Sequence, residues 1–181
     1  MRTVSLGALL ATMAACGAPE PAAPREPILN AAKAYPSYSR VQDRLLWAPT
    51  FCRAPTPAPP RLSASRDDET HGRKLYHLYA KHFDLYRQSD SVDQPVGQVL
   101  VKESWIPAAG STAKHPLAGE KGPLFMMIKT GEAHSDAGWI YATLTPDGKT
   151  VTAAGKMATC MECHESKKDR LFGIKSCAAA R

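Results

Sequence analysis

The chain has 181 residues, 44% of them hydrophobic and 22% charged, which fits one globular domain with a modest core and excludes a large multidomain enzyme. Its 23 Lys and Arg outnumber 17 Asp and Glu for a net charge of +6, but the basic residues are scattered, so no nucleic-acid partner is indicated. No apolar run reaches the roughly 18 residues of a bilayer-spanning helix, so none is expected.

The first segment in chain order is a targeting signal. Arg2 gives a positive start, and the apolar, small-residue run from Val4 to Ala15 ends at Met13-Ala14-Ala15-Cys16, as an export leader does. That ending resembles a bacterial lipobox. The resemblance implies a signal peptide over residues 1–15, a diacylglycerol on the Cys16 sulfur, and a periplasmic protein held to a bacterial membrane by its lipid alone, in an oxidising compartment. An ordinary cleaved leader is the alternative, and it too exports the chain.

Residues 17–27 read Gly-Ala-Pro-Glu-Pro-Ala-Ala-Pro-Arg-Glu-Pro, an extended tether, so residues 16–30 are assigned to the lipidated cysteine and its linker. A second Pro-rich patch, Arg53 to Pro60, follows the apolar Leu45-Leu46-Trp47 and Phe51-Cys52. Because of these anchors, residues 31–66 read as a strap packed on a domain of residues 67–181.

From Asp67 to about Gln88, Leu75, Leu78, Tyr79, His82 and Tyr86 recur at i, i+3, i+4, i+7 and i+11, which predicts one amphipathic helix with Asp67-Asp68-Glu69 at its positive end. The period then changes. Val96 to Trp105, Leu124 to Lys129 and Trp139 to Leu144 are short β-branched or aromatic runs bounded by Gly, Pro and Asp, expected as strands of one antiparallel sheet. Pro146-Asp-Gly-Lys149 is a turn signal, with Thr150 and Val151 continuing as a further short strand. The expected class is α+β: an antiparallel sheet, one long helix packed on it, and a C-terminal attachment helix or loop.

The strongest chemical signal is Cys160-Met161-Glu162-Cys163-His164. In an exported protein, Cys-x-x-Cys-His attaches c-type haem: two thiols at this spacing reach the two vinyl groups, and the next imidazole reaches the iron. The pentapeptide therefore predicts one covalent haem c, with Cys160 and Cys163 as attachment residues and His164 as iron ligand. A thioredoxin-like pair would sit early, behind a βαβ pattern, and a zinc site would need further spaced Cys or His pairs. Neither context is present. A small electron-transfer cytochrome would close the sixth position with a later Met, and none follows His164. A four-helix haem bundle would need three long helical patterns upstream.

The order of motifs resembles the cytochrome P-460 family, which includes cytochrome c′-beta. Its marks read here as Gly97-Gln-Val-Leu-Val-Lys102-Glu103, Leu124-Phe-Met-Met-Ile-Lys129, Gly138-Trp139-Ile-Tyr141, Cys160 to His164, and Asp169-Arg-Leu-Phe172. They cover about residues 67–175. The resemblance implies a sheet-rich haem domain that binds, and in some members oxidises, hydroxylamine or NO at an open iron, passing electrons to a periplasmic acceptor. It places Lys102 where P-460 members join a lysine to a haem meso carbon, and Phe125 where the hydroxylamine-oxidising members carry a glutamate and cytochrome c′-beta carries apolar residues. Alternation puts Lys102 on one face with Leu100, opposite Val99 and Val101, so the lysine either snorkels out or has a partner inside. Two function classes stay open, an oxidoreductase and a non-catalytic NO-binding protein. A plain electron carrier is the third reading.

The remaining candidates have bland alternatives. Glu132 either reaches the distal side or is an exposed turn carboxylate. One of Met126 and Met127 would face the haem, or both fill core. His82 is a candidate sixth ligand or a buried histidine of the helix face. His71, His77, His115 and His134 sit in polar surroundings and receive no role. Cys52 and Cys177 are the thiols left over and pair as a disulfide in an oxidising compartment. Whether the chain is a monomer or a homodimer is not legible.

Overall fold

Val99-Leu-Val101, Leu124-Phe-Met-Met-Ile128 and Trp139-Ile-Tyr-Ala142 are apolar at consecutive positions. In an element whose side chains alternate, such runs mean that both faces are covered. The computed structural model describes residues 25–41, 60–63, 71–112 and 115–174. Among them the strands are β1 (Ser39–Arg40), β2 (Arg61–Leu62), β3 (Leu75–Ala80), β4 (Val99–Pro107), β5 (Ala118–Lys129), β6 (Trp139–Leu144) and β7 (Val151–Gly155). They form one antiparallel sheet in the order β1-β3-β4-β5-β6-β7, with β2 pairing the same edge of β3 as β1. The helices are α1 (Arg25–Ala34), the one-turn α2 (Phe83–Tyr86) and α3 (Ala158–His164). The α+β class stands. None of the described helices is long and apolar enough to cross a membrane.

The expected strands appear, β6 with both ends where the apolar run has them and β5 beginning earlier, at Ala118. Gly148 takes φ +69° in the turn before β7, and the Asp147 carboxylate accepts hydrogen bonds from Thr145 and the Lys149 amide. That is the chemistry the Pro-Asp-Gly signal calls for.

The helix expected from Asp67 to Gln88 does not form in its described part. Residues 75–80 are β3, paired over all six positions with β4, from Leu75 opposite Trp105 to Ala80 opposite Leu100. Leu75 and Tyr79 point to one face, Tyr76, Leu78 and Ala80 to the other. With both faces apolar the alternation is hidden, and chance leaves a helical spacing; a full ladder of inter-strand hydrogen bonds overrides it. His82 is exposed just before α2 and not on a buried helix face. Its backbone N–H and C=O are held by the Gln98 side chain, at 2.9 and 3.0 Å.

Helix α1 lies across the end of the expected tether and the start of the expected strap, and the tether residues before Arg25 lie outside the described residues. Pro27 falls in the first turn, where the missing N–H costs nothing. Ile28, Ala31, Ala32 and Tyr35 recur at i, i+3, i+4 and i+7 and are all buried. They cover the sheet face made by Val99 and Val101, Leu124, Met126 and Ile128, and Ile140, Ala142 and Leu144. Tyr35 and Tyr79 donate to Glu103, at 3.0 and 3.2 Å, and Lys121 pairs with the same carboxylate at 2.8 Å.

The placement of α1 makes a direct prediction. Ile28 is fully buried, so Ile28→Ala should cost about 2–4 kcal/mol by lost transfer energy and the cavity left behind. A urea midpoint unchanged from wild type would mean that residues 25–34 are tether after all.

Candidate haem site

The opposite face of the sheet is built differently. Ala80, Leu100, Met127, Trp139 and Tyr141 form its apolar part with Phe83, Tyr86 and Leu171, and Met157, Cys160 and Met161 of the α3 region pack against it. Among them lie polar groups, Lys102 and Thr143, and here no carboxylate of the described residues gathers them as Glu103 gathers Tyr35, Tyr79 and Lys121 on the α1 face. β-Pairing aligns Leu78, Lys102, Phe125 and Thr143 in one row across four strands. Helix α3 is therefore laid along a face part core and part polar.

Cys160 and Cys163 are three residues apart on α3, and neither is in a disulfide. Cys160 is half-buried toward the sheet and Cys163 is exposed. No three His, Cys, Asp or Glu side chains among the described residues converge to hold a bare metal ion, so the zinc reading has no geometric support. His164, the last residue of α3, is 8% exposed. Its Nδ1–H donates to the Arg170 carbonyl at 2.6 Å, which fixes the tautomer and leaves the Nε2 lone pair free. Tyr141 and Phe172 meet the imidazole edge-on, at 5.6 and 5.0 Å between ring centres.

The loop after His164 is pinned by two carboxylates. Asp169 and Arg170 have φ +43° and +60°, unusual for residues with a Cβ. Asp169 accepts from the Trp139 indole at 3.0 Å and the Gln94 amide at 2.7 Å, and pairs with Lys129. Gly138, at φ +86°, leaves room for that lysine, since a Cβ there would sit 3.1 Å from its Cε. Arg170 donates to Asp136 through Nε and Nη2 at 2.8 and 2.7 Å, and Tyr141 donates to the same carboxylate at 2.7 Å. Burial alone would raise the Asp136 carboxyl; the bonds from Arg170 and Tyr141 outweigh it and hold it below the usual range. The carbonyl that orients His164 thus belongs to a residue anchored by its side chain to the β5–β6 connection.

Across the cleft, Lys102 stands opposite Phe125 in the register. Its Nζ lies 4.9 Å from the centre of the Tyr76 ring and 3.4 Å from His71 Nε2. No carboxylate of the described residues is within ion-pair distance of it. Burial pulls its pKa down to about 8, against an upward pull from the Cys160 and Cys163 sulfurs. Those sulfurs carry no charge once they are thioethers, so haem attachment would lower the lysine further. That coupling also places Lys102 within electrostatic reach of both attachment cysteines.

His71 had no assigned role, and the structure brings it into this cluster. Its ring meets Phe125 at 5.7 Å and its Nδ1 lies 2.9 Å from Ser63 Oγ. Burial, then the charges of Lys102 and His164, push its pKa down to about 3, so it is neutral at any physiological pH. No local signal marks it, because 31 residues separate it from Lys102 and only the β3–β4 pairing brings them together. Met127 faces the α3 side and Met126 the α1 side. Glu132, His115 and His134 are exposed, and His77 packs on Trp105 on the far face. Cys16, Cys52 and Cys177 lie outside the described residues.

The family model for cytochrome P460 matches residues 61–172, more than half of the chain. The chain belongs to the cytochrome P460 family. No curated protein matches it. Membership makes it a c-type haem cytochrome, and the residues in place fit that group: two cysteines three residues apart on one helix, an imidazole with Nε2 free, and a largely apolar sheet face beneath. The matched stretch takes in every residue of the cleft described here and leaves α1 out. In this P460 protein the anchors of the ligand loop, Asp136 and Asp169, come from the strand connections and the loop itself, so the sheet sets the imidazole's position.

The Asp136 anchor predicts a pH dependence. Its folded pKa lies below the unfolded one, so the stability it contributes is complete above about pH 4 and is lost as pH falls through the folded value. Asp136→Asn should cost about 2 kcal/mol near neutrality. Its urea midpoint should fall less steeply than wild type below about pH 4, having no carboxyl to protonate. Parallel curves for the two proteins would remove Asp136 from this role.

Proposed function

We propose that the chain is an exported, lipid-anchored, mono-haem cytochrome that binds a small nitrogen oxide or hydroxylamine at an open iron. The observation that carries this reading is that α3, which ends in His164 with its Nε2 free, packs on the same sheet face that carries the Lys102–Phe125 pair. Cys160 and Cys163 would hold the haem through thioethers, and His164 Nε2 would ligate the iron. Bound haem supplies an open coordination position and a one-electron couple. Arg170, through its carbonyl, keeps the imidazole oriented and basic, while Tyr141 and Phe172 stop it from rotating. Phe125 and Met127 exclude water from their part of the wall. Lys102, half-buried and without a carboxylate, presents an amine whose charge is poorly stabilised, which favours both snug placement against the macrocycle and covalent attachment to it.

A second reading rests on Phe125. Where hydroxylamine-oxidising relatives are expected to carry a glutamate, this chain has a ring that moves no proton, which favours a non-catalytic NO-binding protein of the cytochrome c′-beta kind. In either case the chain would be tethered through Cys16 in the periplasm, and an oxidising member would hand electrons to a periplasmic acceptor.

Two measurements test this reading. Haem should survive acid and organic extraction, and Cys160→Ser or Cys163→Ser should weaken or remove its attachment; free extraction from wild type would sink the proposal. The ferrous protein should be five-coordinate, high-spin, and bind CO or NO without displacing a side chain. A low-spin, six-coordinate spectrum would return the protein to electron transfer. If Lys102 is joined to the macrocycle, the ferrous Soret band lies to the red of ordinary haem c, and Lys102→Arg restores the ordinary band.

We also propose that Cys52 and Cys177 are paired, tying the strap to the C-terminal tail. In the chain-entropy model a loop of this length, roughly 125 residues, is worth up to about 4–5 kcal/mol. Alkylation of the unfolded, unreduced protein should find neither thiol free, and labelling of both would refute the pairing.

A further inference from the structure

Lys102 is the cleft's most unusual group, and its nearest polar partner is not an acid. His71 Nε2 lies 3.4 Å from Lys102 Nζ, and its other ring nitrogen, Nδ1, lies 2.9 Å from Ser63 Oγ. A lysine ammonium can only donate, so Nε2 is the acceptor and the ring proton sits on Nδ1, directed at Ser63. Ser63 is itself fixed, its amide donating to the Lys74 carbonyl at 2.8 Å beside the short β2 strand. Phe125 closes the arrangement by packing edge-on against His71. Ser63, His71 and Lys102 thus form a chain from the outer edge of the sheet to the Lys102 amine.

We infer that His71 is the positioning residue of Lys102, a neutral acceptor that aims the amine into the cleft without stabilising its charge. A carboxylate at this place would aim the lysine equally well and lock it as an ammonium. Tyr76 from β3, Cys160, Cys163 and His164 from α3, and Lys74 beside His71 are the other titratable groups around the pair. Among the described residues, and apart from the sulfurs, whose charge haem attachment removes, none of these groups supplies a negative charge at neutral pH. The direction of both pKa shifts agrees: His71 is held neutral and Lys102 loses its proton more easily than an ordinary lysine. The inference rests on Lys102 lining the haem cleft, and it holds whether the amine ends up joined to the macrocycle or stays free.

The test uses the haem-loaded protein. After digestion the Lys102 peptide is quantified in two forms, joined to haem and, following acetic anhydride treatment at a series of pH values, acetylated. Wild type should carry Lys102 joined to haem or, where free, acetylated with a half-point no higher than about pH 8, since the thioethers no longer hold the lysine up. His71→Glu should lower whichever form is present, read well below the wild-type half-point, by about ten-fold, the effect of one unit of pKa. Haem content and CO binding should stay as in wild type. His71→Gln, which keeps a neutral acceptor, should behave like wild type. Ser63→Ala frees the ring tautomer without adding charge, and it should lower the same readout several-fold should His71→Glu not accumulate. An unchanged Lys102 readout in both His71→Glu and Ser63→Ala overturns the inference, as does a loss in His71→Gln equal to that in His71→Glu. Failure of wild type to bind CO would count against the open-iron reading alone, because the Lys102 readout does not depend on it.

Discussion

A sheet that is apolar on both faces has to be covered twice, and most of this architecture follows from that constraint. One cover is α1, drawn from the N-terminal region, whose Ile28, Ala31, Ala32 and Tyr35 close a face of Val, Leu, Met and Ile. The other is the segment carrying Cys160 and His164, together with α2 and the residues around Leu171. The two covers meet unequal faces. Toward α1 the central strands offer little but aliphatic side chains, whereas toward α3 they offer Lys102, Phe125, Thr143 and Lys129 among the apolar residues. Burying an amine there costs free energy that an aliphatic side chain would not. The α3 side is therefore the less completely apolar of the two, and it is the side that carries Cys160, Cys163 and His164.

Orientation of the His164 imidazole depends on a strained piece of backbone. Two consecutive non-glycine residues, Asp169 and Arg170, take positive φ, at an expected cost of about 1–2 kcal/mol each. Their side chains offset it: Asp169 gathers Lys129, the Trp139 indole and the Gln94 amide, and Arg170 forks onto Asp136. What the strain achieves is the turn of the Arg170 carbonyl toward His164 Nδ1. The Gly-Trp pair on β6 and the Asp-x-x-Phe stretch after the attachment motif, far apart in sequence, are two halves of one clamp.

Legibility in the sequence tracks how locally each feature is determined. The Cys-x-x-Cys-His segment, the β6 run and the Pro-Asp-Gly turn depend on adjacent residues, and all three are found where the sequence puts them. Strand β3 was masked because Leu75, Leu78 and Tyr79 happen to repeat like a helix, and its pairing partner β4 is more than twenty residues away. Helix α1 was masked by composition: the Pro- and Ala-rich run before it resembles a tether, although Ile28, Ala31, Ala32 and Tyr35 already carry the helical period. Lys102 was legible as a lysine sharing a face with Leu100. Its neighbour His71 was not, since nothing near it in the chain distinguishes it from the exposed His115 and His134.

The charge of the cleft gives these placements a chemical consequence. Among the described residues of this sheet face, Lys102 is the basic group without a carboxylate partner, and its acceptor His71 is neutral. The carboxylates of the site, Asp136 and Asp169, are turned away and neutralised by Arg170 and Lys129 behind His164. Fixed charge in the cleft is thus positive while the lysine keeps its proton and close to zero once it is lost. A pocket of that sign opposes cations and admits neutral or anionic ligands at less cost. A glutamate in place of Phe125 would reverse the preference, so the Phe125–Lys102 pair sets polarity as well as shape.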